Sequence, residues 1–93
     1  MNEMSARQNM SDGQKAAAWH NSGGQLSNGK PVGKAKCPWK ECSYGLMEAN
    51  KYGDQHPDDW VVDHIVALAN GGTNDQSNLQ AMHNVCNSEK GDS

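Results

Sequence analysis

The sequence predicts a small α+β fold whose best-defined part lies in the C-terminal third. Residues 60–68, Trp-Val-Val-Asp-His-Ile-Val-Ala-Leu, are apolar and rich in β-branched side chains, which predicts a strand. A polar loop with two adjacent glycines follows it, and residues 79–82 can pair back as a second strand. Residues 84–92 can form a terminal helix. The order strand, loop, strand, helix is the main observation behind the α+β prediction.

The second observation is the thin hydrophobic content. The chain has 93 residues, of which 34% are hydrophobic, with no Phe and ten Gly. A chain of this size forms one small domain, and such domains often need a metal or disulfides to stay folded. We therefore expect a stapled C-terminal module and a loosely ordered N-terminal part.

A short helix is predicted near the N-terminus. Ser11 can cap a helix over residues 12–20, which include three consecutive alanines. Gly23 and Gly24 would end this helix. Trp19 is expected to pack against the C-terminal module.

The remaining N-terminal residues predict little regular structure. Residues 1–10 carry no periodic pattern and are expected to be frayed. Residues 26–36 contain Asn-Gly and Pro and predict a loop or linker. The predicted organisation is therefore a basic N-terminal arm or linker with a short helix, residues 1–36, and a compact domain, residues 37–93.

Charge is distributed unevenly along the chain. Residues 1–40 hold six basic side chains against two acids, whereas residues 41–93 hold nine acids against two lysines. This asymmetry is typical of a polyanion contact joined to a cation site. Lys34, Lys36 and Lys40 are candidates for phosphate contact, and a solvated linker face explains them equally well.

No run of about eighteen apolar residues is present, so no membrane span is predicted. The first ten residues lack the apolar segment of a secretion signal, and a cytoplasmic protein is expected. The three cysteines cannot pair off completely, and a reducing compartment disfavours disulfides.

Two pairs of metal-ligand side chains suggest a better use for the cysteines. Cys37 and Cys42 form C-x4-C, and His83 and Cys86 form H-x2-C about forty residues later. Zinc is usually held by four N or S ligands in a tetrahedron, and these four residues fill such a site. The alternative is a Cys37–Cys42 disulfide, a buried free Cys86 and an ordinary packed His83. We favour structural zinc because it would also stabilise a short, Phe-free chain.

A second group combines oxygen ligands with an imidazole. Asp63 and Asn87 offer two hard oxygen ligands, which suit Mg²⁺ or Mn²⁺ with several waters and substrate phosphate oxygens. An imidazole titrates near neutral pH, so His64 can act as a general base. Because side chains alternate along a strand, Asp63 and His64 share a site only if the strand bends there. Lys90 would lie on the same helix face as Asn87. A base beside a divalent cation suits phosphodiester hydrolysis.

At this point the sequence resembles a known family. Fourteen residues separate His64 from Asn78 and nine separate Asn78 from Asn87. The matching residues are Asp63-His64 with the apolar residues after them, Gly71-Gly72, Asn78-Leu79-Gln80, Cys86-Asn87 and Lys90. With the cysteine and histidine pairs included, residues 37–92 resemble the HNH endonucleases of the ββα-metal type. The resemblance implies a zinc-stapled, treble-clef-like ββα-metal module.

The resemblance also implies a role for each matching residue. His64 would be the general base, and Asp63 and Asn87 would bind the catalytic Mg²⁺ or Mn²⁺. Asn78 would hold the loop and orient His64 through its backbone, although a plain loop cap also explains this residue. Lys90 would contact phosphate.

The implied function is a DNA endonuclease that contacts mainly the phosphate backbone. A freestanding domain of this length resembles phage-encoded nucleases, including those that act with genome-packaging proteins. The implied location is the cytoplasm of a bacterial host or phage-infected cell. The alternative is a catalytically silent, zinc-clamped module that binds nucleic acid or protein.

Overall fold

The computed structural model describes residues 10–91 and has α+β architecture. Two helices are present in this range, α1 (Asp12–Asn21) and α2 (Asn84–Lys90). The strands are β1 (Gln25–Ser27), β2 (Lys30–Val32), β3 (Lys34–Lys36), β4 (Leu46–Glu48), β5 (Trp60–His64) and β6 (Leu79–His83), with 3₁₀ turns at Leu68–Asn70 and Gln76–Asn78. The strands pair as the antiparallel hairpins β1–β2, β3–β4 and β5–β6. None of the helices in residues 10–91 is long and apolar enough to cross a membrane.

The β5–β6 hairpin followed by α2 is the centre of the fold. Its register pairs Trp60 with His83 at one end and His64 with Leu79 at the other. Strand β5 is almost entirely buried, as its β-branched, apolar sequence predicts. The prediction of a strand up to residue 68 was too long, because the chain bends after His64.

Helix α1 confirms the predicted N-terminal helix. The Ser11 hydroxyl accepts a hydrogen bond from the backbone N–H of Gln14 at 3.1 Å. The Gln14 side chain in turn accepts one from the backbone N–H of Ser11 at 2.9 Å, which completes a capping box. This exchange satisfies two backbone groups that a helix start leaves unpaired.

The end of α1 docks on the free edge of β6. Ser22 Oγ donates to the carbonyl of Ala81 at 3.0 Å and accepts from its N–H at 2.9 Å. Asn21 Nδ2 donates to the carbonyl of Leu79 at 2.9 Å. One turn earlier, the fully buried Trp19 packs against Trp60 with ring centroids 5.0 Å apart. The predicted packing of Trp19 against the module is therefore confirmed.

The prediction of a loop or linker over residues 26–36 is wrong. Asn28 and Gly29 both have positive φ, 53° and 76°, and form the tight turn of the β1–β2 hairpin. Strand β3 pairs with β4 and buries Ala35 opposite Met47. These three-residue strands are mostly exposed, so they lack the apolar alternation that reveals a longer strand.

Contacts cross the domain boundary that the sequence predicts at residue 36. Helix α1 packs on β6 and β5, and β3 pairs with β4. Of the segment expected to be frayed, residues 1–9 lie outside the described residues, as do residues 92 and 93.

Candidate functional site

The loop between β3 and β4 carries Cys37 and Cys42, and we call it the cysteine loop. Four side chains with metal-ligand atoms meet where this loop approaches the start of α2. Cys37, Cys42, His83 and Cys86 each offer one such atom, and these atoms lie within 4.8 Å of one another. We call these four residues the Cys/His cluster. Cys42 Sγ is 3.2 Å from His83 Nδ1. The Cys37 and Cys86 side chains and His83 are buried.

The donors of the Cys/His cluster fit a zinc ion. A tetrahedral zinc with Zn–S bonds of about 2.3 Å places two sulfur ligands about 3.8 Å apart. Burial raises the pKa of the Cys37 and Cys86 thiols and lowers the pKa of the His83 imidazole. Inside the protein these groups therefore favour their neutral forms, and a cation that replaces the thiol protons would supply the missing positive charge.

The alternative of a Cys37–Cys42 disulfide is wrong, because all three cysteines are free. His83, the last residue of β6, contributes to the same group rather than packing apart from it. The cluster could thus hold a metal such as zinc, with the ligand set that the two sequence pairs predict.

A second site lies further along α2, towards its C-terminal end. A small pocket of ≈ 10 Å³, about the size of one water molecule, opens between the end of β5 and the helix. Its lining residues are Asp63, His64, Ala67, Leu68, Asn87, Lys90 and Gly91. We call this pocket the acid–imidazole pocket. It brings together four of the five residues that the resemblance assigns to the chemistry, whereas Asn78 is not among its lining residues.

Asp63 is the buried centre of this pocket. Only 3% of its surface is exposed, and both carboxylate oxygens are engaged. Oδ1 accepts from Asn87 Nδ2 at 2.8 Å, and Oδ2 accepts from Gln80 Nε2 at 2.9 Å. Lys90 Nζ lies 3.4 Å from the same Oδ2. A buried carboxylate needs such compensation, and three different donors provide it.

His64 reaches the same pocket because it is the last residue of β5, where the strand ends and the chain bends. Its Nε2 is 2.7 Å from Asn74 Oδ1. A carbonyl oxygen can only accept, so Nε2 donates, and in the neutral imidazole Nδ1 is then the basic nitrogen. Asn74 thereby selects the tautomer of His64.

Asn78 ties together the loop that follows His64. Its Oδ1 accepts from the backbone N–H of Val66 at 2.9 Å, and its Nδ2 donates to the carbonyls of Val66 and Thr73 at 3.0 and 2.8 Å. Its own carbonyl accepts from the N–H of Ile65 at 2.8 Å. The loop is tightly closed here, since a Cβ on Gly72 would fall 1.8 Å from the Val66 carbonyl oxygen.

Lys90 lies inside the site rather than on its surface. Its Nζ donates to the carbonyl of His64 at 3.0 Å, and only 9% of the side chain is exposed. The sequence resemblance implies a phosphate contact for this residue, whereas its ammonium is engaged with Asp63 and the His64 backbone.

The other candidate lysines lie on the surface in two places. Lys36 and Lys40 are exposed and border one groove with Trp39, next to the Cys/His cluster. Lys34 is also exposed, but it borders a different depression, between β2 and the end of β4. Lys34 and Lys36 nevertheless flank the buried Ala35 and share the exposed face of β3.

Sequence reasoning missed two residues that hydrogen-bond to side chains of the acid–imidazole pocket. Gln80 was part of the matching string but was given no role, although it lies directly across the β5–β6 ladder from Asp63. Asn74 was treated as part of a plain loop. The hairpin register would have revealed Gln80, whereas the contact of Asn74 with His64 depends on the path of the loop.

Comparison with known proteins gives one clear match. A family model described as HNH endonuclease matches residues 42–93, more than half of the chain. No curated protein and no solved structure matches the chain significantly.

Proposed function

The chain belongs to the HNH endonuclease family, and we propose that it is a metal-dependent endonuclease that hydrolyses phosphodiester bonds in DNA. The observation that carries this proposal is the meeting of Asp63, His64 and Asn87 in one pocket. A base, a carboxylate and an amide oxygen within one small pocket are the groups needed to activate water beside a divalent cation.

His64 is the proposed general base. With Nε2 donating to Asn74, Nδ1 is the nitrogen that takes the proton from the attacking water. Asn78 holds the loop after His64 through four hydrogen bonds, so the imidazole keeps its direction during the reaction. Asn74 and Asn78 are thus positioning residues in this proposal.

Asp63 and Asn87 are the proposed ligands of the catalytic Mg²⁺ or Mn²⁺. Two hard oxygens in a pocket the size of one water fit a single small cation that keeps some of its waters. When bound, this cation would stabilise the charge on the phosphate and on the leaving oxygen. The protein's own contribution is to fix the carboxylate and the amide on β5 and α2.

The Cys/His cluster is proposed to bind structural zinc. Cys86 and Asn87 are adjacent on α2, so a zinc ion held by Cys86 would also fix the direction of the Asn87 side chain. The exposed Lys34, Lys36 and Lys40 are proposed to contact DNA phosphates, which needs charge but no base recognition.

The alternative function is a zinc-clamped binding module without catalysis. Such a module has no need of an imidazole, an acid and an amide in one pocket. The deciding experiment is cleavage of supercoiled plasmid by the zinc-loaded chain with Mg²⁺, with Mn²⁺ or with EDTA. We expect cleavage with either cation and none with EDTA, and a loss of about 100-fold or more in His64→Ala.

His20→Ala is the matched control, because His20 is exposed on α1 and outside the pocket. It should cut like the wild type. Intact plasmid with the wild type under every condition, or equal cutting by His64→Ala, would favour the silent binding module.

A further inference from the structure

The Lys90 ammonium and the Asp63 carboxylate form a buried ion pair inside the acid–imidazole pocket. Lys90 Nζ is 3.4 Å from Asp63 Oδ2, and the two side chains are 9% and 4% exposed. Of the described residues that line the pocket, these two carry the permanent charges, and they cancel each other. Burying such a pair costs desolvation energy, so its presence calls for an explanation.

The pair occupies one of the two oxygens that the Asp63 carboxylate could offer a cation. Asp63 Oδ2 faces Lys90, whereas Oδ1 accepts from the Asn87 amide nitrogen at 2.8 Å. A cation shared by Asp63 and Asn87 needs the amide oxygen, so the Asn87 amide must turn over when a cation binds. The hydrogen bonds and the ion pair therefore hold Asp63 and Asn87 in an arrangement that does not yet bind a cation.

We propose that Lys90 is a positioning residue that neutralises Asp63 and must be displaced from it before a divalent cation can bind. This inference rests on the proposed function, because it takes Asp63 as a ligand of the catalytic cation. The free volume of the pocket is ≈ 10 Å³, about that of one water molecule, so a divalent ion at Asp63 would lie close to the ammonium. Because both are positively charged and the site is buried, the ammonium and the divalent ion would repel each other strongly.

Displacement leaves Lys90 close to where substrate would enter. Its second contact, to the His64 carbonyl at 3.0 Å, does not involve the carboxylate and need not break. An ammonium released from Asp63 but held at His64 is free to pair with a phosphate oxygen. The phosphate contact implied by the sequence and the ion pair in the structure are then successive partners of one side chain.

The test measures Mn²⁺ binding to the zinc-loaded full chain without DNA, by the loss of the electron paramagnetic resonance signal of free Mn²⁺. Lys90→Met removes the competing charge and keeps a similar apolar length. Since a charge at contact distance changes proton affinity of a carboxylate by roughly 10-fold or more, we expect Lys90→Met to bind Mn²⁺ about tenfold more tightly.

Two variants serve as controls. Lys90→Arg keeps the charge and should bind Mn²⁺ within about threefold of the wild type, on the same competition argument. Lys30→Met removes a charge from the exposed end of β2 and should bind like the wild type. Unchanged affinity in Lys90→Met would show that the ammonium does not compete, and weaker affinity would show that Lys90 supports the site; either result overturns the proposal.

A measurement on the wild-type chain covers the case in which Lys90→Met does not fold. The Lys90 ammonium, assigned by its disappearance in Lys90→Arg, should shift in a ¹⁵N nuclear magnetic resonance spectrum when Mg²⁺ is added, and an unmoved signal overturns the proposal. Failure of the proposed function gives a different result: Mn²⁺ binds and Lys90→Met strengthens it, but plasmid remains intact.

Discussion

The Cys/His cluster lies at the start of α2 and the acid–imidazole pocket lies towards its end, and the two sites differ in how their polar groups are partnered. In the cluster, the ligand atoms face one another at separations within 4.8 Å, and burial favours their neutral forms. In the pocket, the Asp63 side chain accepts hydrogen bonds from Asn87 and Gln80 and pairs with Lys90. The Asp63 side chain is therefore satisfied by protein groups, whereas a metal would stabilise the cluster more than it would stabilise the pocket.

Because of this difference, we expect the cluster to determine the stability of the chain and the pocket to determine its activity. A metal in the cluster would join the cysteine loop to the β6–α2 corner and so link segments that are about forty residues apart in sequence. A metal in the pocket would instead displace contacts that already exist. We expect loss of the first metal to unfold the chain and loss of the second to leave it folded but inactive.

The largest effect is expected from Cys86→Ser. Structural zinc sites contribute roughly 10–16 kcal/mol of apparent binding energy, which matches or exceeds the whole stability of a small domain. The variant should lose stoichiometric zinc, the cooperative thermal transition in circular dichroism and cleavage together. Ser88→Ala, an exposed change on the same helix, should retain all three. A cooperative transition in zinc-free Cys86→Ser would show that the core suffices by itself.

The next effect is expected from Asn87→Ala, one residue further along α2. It removes a single hydrogen bond to Asp63, so the free energy of unfolding should fall by only about 1–2 kcal/mol. Zinc content should stay at the wild-type level, while plasmid cleavage should fall by about 100-fold. Asn84→Ala on the same helix is the control. If Asn87→Ala does not fold, Asn87 supports the fold, as the cluster residues do, and is not specific to the pocket.

A smaller effect on cleavage is expected from Asn78→Ala. The variant loses three side-chain hydrogen bonds to the loop after His64, at a cost of about 1–3 kcal/mol. A looser imidazole should lower cleavage by about tenfold, with zinc content unchanged. Hydrogen exchange should increase in residues 65–74 and stay as in the wild type in α1. Wild-type cleavage despite faster exchange would reduce Asn78 to a plain loop cap.

Several features of the fold follow from local sequence signals. The capping residues Ser11 and Gln14 define the start of α1, and the β-branched run at 60–64 defines β5. The two ligand pairs of the Cys/His cluster and the Asp-His string of the pocket were also predicted from spacing alone. These features could be predicted because the residues within each cap, strand, ligand pair or string are near neighbours in the chain.

The strands before Cys37 could not be predicted from local sequence signals. Strands β1, β2 and β3 have three residues each, and their side chains are mostly exposed. An Asn-Gly dipeptide is typical both of an irregular loop and of a tight hairpin turn. What decides between the two is the partner strand, and for β3 that partner, β4, lies about ten residues further along the chain.

The sequence by itself determined which residue types gather at the two sites, because motif spacing records the chemistry of the ligands. Only the tertiary structure decided which atoms meet. Hairpin register places Gln80 against Asp63, the loop path brings Asn74 to His64, and α2 turns Lys90 inward onto Asp63. These contacts depend on side-chain direction and on packing between distant segments, neither of which is encoded in local spacing.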